Sequence, residues 1–214
     1  MSEDNIILFP DLVKNLNGSV VNQDMVMFLD VATHYTGYSM FEYSRVEPKG
    51  FYLIGYGNFK AKKSKDWEAR CFEIASKVGN IIHTVKPWFL VQEYPYFQTG
   101  IKGTAASRSG GTIQLGYLCG MIANKWDYYI TKVLVDSGRK VLMERSQLIT
   151  YNQWNGQLQK KHTCKRCLDH FDIDLASNSI DNNCADAIMM GKFFIEDRMN
   201  QKVCGQLNAE RVDL

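Results

Sequence analysis

Three acidic residues stand where the surrounding pattern calls for apolar side chains. Asp30 ends the run MVMFLD, where it alternates with Val26 and Phe28 on the side of a strand that the pattern makes apolar. Glu93 closes an apolar approach in WFLVQEYPYF and is followed by aromatic residues and Pro95. Asp186 sits among Ala185, Ala187 and Ile188 on the apolar side of a C-terminal helix. A buried carboxylate is costly unless something compensates it, so three such violations mark places where chemistry overrides packing. Carboxylates brought together repel one another, and a divalent cation lets them stay ionised side by side. Hard oxygen donors suit magnesium, with manganese as a substitute. Such ions can position and activate a water for attack on a phosphodiester, which makes nucleic-acid hydrolysis the natural reaction. Taken singly, each acid also has a plain structural explanation: a turn former at Asp30, a lysine partner for Glu93, solvation for Asp186.

The elements that must position these acids follow from periodicity. MVMFLDVA (25–32), GYSMFEYS (37–44) and FYLIGYGNFK (51–60) read as strands, the first two joined by the polar THYT as an antiparallel pair. Residues 65–85 carry Trp67, Cys71, Ile74, Val78 and Ile82 at helical spacing, with Pro87 beyond them, and 88–97 reads as a buried strand. A long helical pattern runs over 112–135, VLMER (141–145) reads as a short strand, and helices are expected over about 163–171 and from Ser179 to Asp181 onward. The order predicts an α/β fold, a mixed five-stranded sheet flanked by helices. Residues 1–24 read as an N-terminal extension, 25–200 as one nuclease-sized domain and 201–214 as a tail.

Within this order the sequence resembles the RuvC-type Holliday junction resolvases, a branch of the RNase H-like nucleases. LDVATHYTGYSM is similar to the family's first-strand Asp followed by a small-residue turn and Thr-Gly, VQEYPYF to its fourth-strand Glu, and DNNCADAIMMG to its C-terminal acidic helix. SGGTIQLGYLCGMI resembles the helix after the fourth strand, so the likeness spans about residues 25–197. It implies an RNase H-like sheet and a homodimer that binds a four-way DNA junction and nicks two strands symmetrically, using a magnesium-activated water. The implied site comprises Asp30, Glu93 and Asp186. The family commonly has a further acid three residues before the last one, where this chain has Asn183. Asn183 could offer a neutral carbonyl oxygen to the metal, and Asp181 could serve as the fourth catalytic acid by reaching in from a non-helical cap. The long helix from Thr112 is the candidate dimer face. Small size and the N-terminal extension would suit a phage or viral member.

Charge is nearly balanced, 25 basic against 23 acidic residues, so any contact with DNA must come from local clusters. Lys60, Lys62 and Lys63 lie in FKAKKSK, Lys102 and Arg108 in the glycine-rich stretch after Glu93, and Lys160 and Lys161 in LQKKHTCKR. Each group can track a phosphate backbone or simply solvate a loop. His162, Cys164, Cys167 and His170 are compressed into nine residues with no loop between the pairs, a spacing that suits a packed helix and argues against structural zinc. His34, four residues beyond Asp30, reads as a turn residue. No membrane span is expected, the N-terminus lacks signal-peptide order, and the six scattered cysteines suit a reducing interior, so an intracellular location is expected. Other readings are a different RNase H-like nuclease acting on branched DNA or hybrids, and a non-catalytic junction-binding protein on the same fold. An actin-type ATPase would need a second domain that 214 residues do not supply.

Overall fold

The structure is a computed structural model, and it describes residues 6–8, 22–44, 50–62, 64–93, 95, 110–137, 147–149, 154, 160–176 and 179–196. In chain order the elements are β1 (Ile6–Leu8), β2 (Asn22–Asp30), β3 (Tyr35–Ser44), β4 (Gly50–Lys60), α1 (Trp67–Val85), β5 (Pro87–Glu93), α2 (Gly111–Ser137), β6 (Gln147–Ile149), α3 (Lys160–Phe171) and α4 (Ser179–Phe194). They form one mixed sheet in the order β1-β4-β3-β2-β5-β6. β1 to β4 run as an antiparallel group, while β5 and β6 lie parallel to β2.

This is the expected RNase H-like arrangement of five strands and flanking helices, with two differences. Residues 6–8 of the expected extension pair with Gly57, Tyr56 and Gly55, adding a sixth strand. The physical reason is that the outer side of β4 offers unpaired backbone groups, which an extended Ile-Ile-Leu segment can satisfy. The last strand falls at 147–149, whereas the expected 141–145 lies outside the described residues, as does the 201–214 tail.

The helices form where local chemistry directs them. Asp66 caps α1 by accepting from the Glu68 amide at 2.9 Å, and Lys86 closes it in a left-handed conformation, its N–H donating to the Ile82 carbonyl at 2.8 Å. Pro87 then cannot extend the helix and begins β5 instead. Gly110, with φ +71°, makes the turn into α2 and accepts from the Gln114 amide at 3.0 Å.

Two cores result, one on each side of the sheet. Met25, Met27, Leu29 and Leu90 face α1 and α2, meeting Cys71, Ile74, Val78, Ile122, Trp126 and Tyr129. Val26, Phe28, Phe89 and Val91 face the other way, toward Cys164, Cys167, Ala185, Ile188 and Phe194 of α3 and α4. Each fully buried large apolar side chain contributes about 1.5–3 kcal/mol. No helix among the described residues is long and apolar enough to cross a membrane.

Candidate active site

Strand alternation fixes the side on which the acids project. Asp30 continues the Val26, Phe28 series and Glu93 the Phe89, Val91 series, so both belong to the face covered by α4. The parallel register pairs Leu29 with Gln92, and the next residue on each strand is Asp30 or Glu93. The two acids therefore end neighbouring strands side by side. Asp30 is buried, and Glu93 is half-buried.

A thiol reports their combined field. Cys119 of α2 packs at the same strand ends, its Sγ donating to the Glu93 carbonyl at 3.7 Å. Burial pushes this thiol up to about 12, and the charges of Glu93 and Asp30 add to the rise. Both carboxylates therefore act on one point at the end of the sheet.

The turn after Asp30 is closed by Thr36, whose hydroxyl donates to the Ala32 carbonyl at 2.7 Å and accepts from the Ala32 amide at 3.2 Å. Gly37 pairs with Asp30 across β2 and β3. A Cβ on Gly37 would lie 2.8 Å from the Cys184 amide nitrogen and closer still to the Asn183 carbonyl, so only glycine lets the start of α4 settle here. Farther along, the Ser39 hydroxyl donates to the Ala187 carbonyl at 2.8 Å. At Gly191 a Cβ would come 2.5 Å from Phe41 and 2.9 Å from Phe28. Asn183, Ala187 and Gly191, each four residues apart, thus form the stripe of α4 that rests on the sheet.

Asp186 is buried on this helix, with only 1% of its surface exposed. At 100° per residue it projects about 200° away from Cys184. Cys184 meets Gly57 of β4, so Asp186 is carried on a different flank of α4 from that contact. Cys164 and Cys167 of α3 sense its charge; burial leads the rise of both thiols, with Cys167 reaching about 12. The three acids thus share one side of the sheet. Among the described residues, however, no three His, Cys, Asp or Glu side chains are gathered into a group that could hold a metal ion. The donor set is nonetheless chemically suited to a hard divalent cation, being carboxylate oxygen at two adjacent strand ends and on the helix that covers them.

The expected fourth positions come out differently. α4 begins at Ser179, so Asp181 is inside its first turn and not in a non-helical cap. It points about 200° away from Asn183, toward the α3 side, where its charge contributes to the raised pKa of Cys164. The Asn183 side-chain amide donates to the Tyr35 carbonyl.

Of the expected DNA contacts, Lys60 and Lys62 are exposed, and Lys60 ends β4 opposite Tyr35, on the sheet edge that carries Asp30 and Glu93. Its ammonium lies 5.7 Å from the Tyr35 ring centroid. Lys63, Lys102 and Arg108 lie outside the described residues; Lys160 and Lys161 begin α3, and their side chains are likewise outside the description. His34 is exposed next to Thr33, its Nδ1 3.3 Å from the Thr33 hydroxyl. In the Cys/His segment, Cys164 and Cys167 turn inward to Asn182 and to the Ala185 carbonyl, while His162 and His170 are exposed.

Sequence reasoning had flagged the Thr-Gly after Asp30 and the DAIMMG run without assigning them a task. Thr36 closes the turn after Asp30, while Gly37, Ser39 and Gly191 fit α4 against the sheet, and Cys119 gave no signal beyond an apolar helix position.

No protein-family model matches the sequence, and no curated protein matches it. Solved structures do match in shape. The yeast mitochondrial Holliday junction resolvase Ydc2 aligns with a TM-score of 0.52 at 11% identity, covering 87% of this chain and 86% of that one. Thermus thermophilus RuvC aligns at 0.47 with 12% identity, covering 79% of this chain and 94% of that one. The fowlpox virus resolvase, in a complex with substrate Holliday junction DNA, aligns at 0.42 with 13% identity, covering 80% of this chain and 97% of that one. The fold is thus of the RNase H-like class. The alignment with the yeast mitochondrial resolvase extends across most of both chains.

Proposed function

We propose that the protein is a magnesium-dependent endodeoxyribonuclease that resolves four-way DNA junctions by paired symmetric nicks. One observation carries the reading: Asp30, Glu93 and Asp186, the three acids that violate local patterning, project from the same side of the sheet, with Asp30 and Glu93 ending adjacent strands. Carboxylates in that position hold divalent cation, which supplies charge neutralisation and Lewis acidity at a phosphodiester. Asp30 and Glu93 bind from the strand ends, and Asp186 binds from the helix above. Lys60 and Lys62, on the same edge, orient the sugar-phosphate backbone, and Lys63, Lys102, Arg108, Lys160 and Lys161 are the further cations that the sequence offers to phosphates. In this reading Asp181, in the first turn of α4 and acting on Cys164 of α3, is left outside the cation site.

Paired cuts call for a two-fold assembly. The outer side of α1 and α2 exposes Phe72, Ile113, Tyr117 and Tyr128, with Trp67 packed edge-on to Tyr117. Exposed apolar groups of this size suit a contact with a second copy. Ile113→Asp with Tyr117→Asp should convert a dimer to a monomer in sedimentation velocity, whereas an unchanged dimer would place the contact elsewhere.

The reading is tested by incubating the protein and its Asp30→Asn variant with a synthetic four-way junction, a flap and a linear duplex, with and without magnesium. Paired nicks on the junction, dependent on magnesium and lost in the variant while binding persists, are the expected result. Junction binding without cleavage by the unsubstituted protein would make it a junction-binding protein on a nuclease fold, and equal cleavage by the variant would remove Asp30 from the mechanism.

A further inference from the structure

The family that this sequence resembles places an acid at the position of Asn183, and the surroundings of this residue account for the amide. Its Nδ2 donates to the carbonyl of Tyr35, the first residue of β3. Its own backbone carbonyl sits over Gly37, the residue paired with Asp30. Two separate atoms of one residue therefore grip the β2–β3 hairpin immediately beside Asp30. Asp186 follows one turn later on the same rigid helix.

We propose that Asn183 is a positioning residue, a clasp between α4 and the β2–β3 hairpin that sets the offset of Asp186 from Asp30. The proposal rests on the nuclease reading above for its catalytic consequence. A carboxylate could not perform this task. Aspartate has no N–H to give to the Tyr35 carbonyl, and its charged oxygens would face another acceptor at a helix start packed against the sheet. The second tether, from Ser39 to Ala187, holds the helix one turn farther on, so loss of the clasp frees the N-terminal turn without detaching α4. The expected result is a folded protein whose acids are out of register. A displacement of an ångström in a reacting constellation costs about 100-fold in rate.

A ligand role and a clasp role predict opposite results for Asn183→Asp. If Asn183 were a ligand, the substitution would add a stronger one, and cleavage would be retained or improved. As a clasp, Asn183→Asp and Asn183→Ala both lower the single-turnover cleavage rate on a four-way junction about 100-fold, with the junction Kd unchanged and the protein folded at the assay temperature. Cleavage by Asn183→Asp at or above the original rate, or an unimpaired Asn183→Ala, would overturn the proposal. A second arm needs no activity. Gly37→Ala and Asn183→Ala break the same approach, so their effects on melting temperature should be less than additive in the double variant. If the unsubstituted protein cleaves nothing, the nuclease reading fails while this thermal cycle still decides the clasp. Coupled shifts support it, and fully additive shifts overturn it.

Discussion

The two sides of the sheet are built by different rules. Toward α1 and α2 the buried contacts are chiefly those of side-chain volume: Met25, Met27 and Leu29 meet Trp126, Tyr129 and Ile74, and the nearby hydroxyl of Tyr129 is so deeply buried that its pKa is raised. Toward α4 the sheet accepts backbone at close range through Gly37, Ser39 and Gly191, and that side carries all three out-of-pattern acids. A face packed by volume can trade one apolar side chain for another of similar size. A face packed by backbone approach and charge has little such latitude, because moving α4 moves Asp186 relative to Asp30. The contrast separates the part of the molecule that supplies stability from the part that sets geometry.

Breaking the first side should cost stability and leave the site intact. Trp126→Ala removes the largest fully buried side chain among the described residues and is expected to destabilise the protein by about 3–5 kcal/mol in urea unfolding, with the rate per folded molecule unchanged. Breaking the second should do the reverse: Asp30→Asn is expected to lower single-turnover cleavage about 1000-fold while leaving the unfolding midpoint as high or higher. A variant that unfolds would erase the distinction. Gly191→Ala tests the boundary between the two kinds of packing. Its methyl group meets Phe41 and Phe28, so overpacking should cost about 1–3 kcal/mol and also slow cleavage by shifting α4. The smallest effect belongs to the rim. Lys62→Ala should weaken junction binding evenly across sequences and reduce the slope of log affinity against log salt by about 1, with no change in stability.

The contrast also explains what could be read from the sequence. Periodicity located β2 to β5 and the four helices, because a half-buried element repeats its apolar residues every two or every 3.6 positions. The acids were legible for the same reason, as interruptions of those repeats at Asp30, Glu93 and Asp186. β1 was not, since three residues carry no periodic signal and pair only because β4 has an open side. The start of α4 misled in a more instructive way. Counting residues made Asn183 and Asp181 alternative ligands, but which of them meets the sheet depends on where the helix begins, and that is settled by the fit of Asn183 over Gly37. A glycine in a strand signals that something approaches closely without saying what.

The central claim is that the three acids of the α4 side act as one cation-binding centre. Melting temperature in chelator and in magnesium or manganese tests it without any DNA. An ion bound at a hundred-fold excess over its Kd stabilises the folded state by about 2.7 kcal/mol, so the unsubstituted protein should melt several degrees higher with metal. Asp30→Asn, Glu93→Gln and Asp186→Asn should each remove most of that increase. An equal increase in all four proteins, or none in the unsubstituted one, would contradict the account.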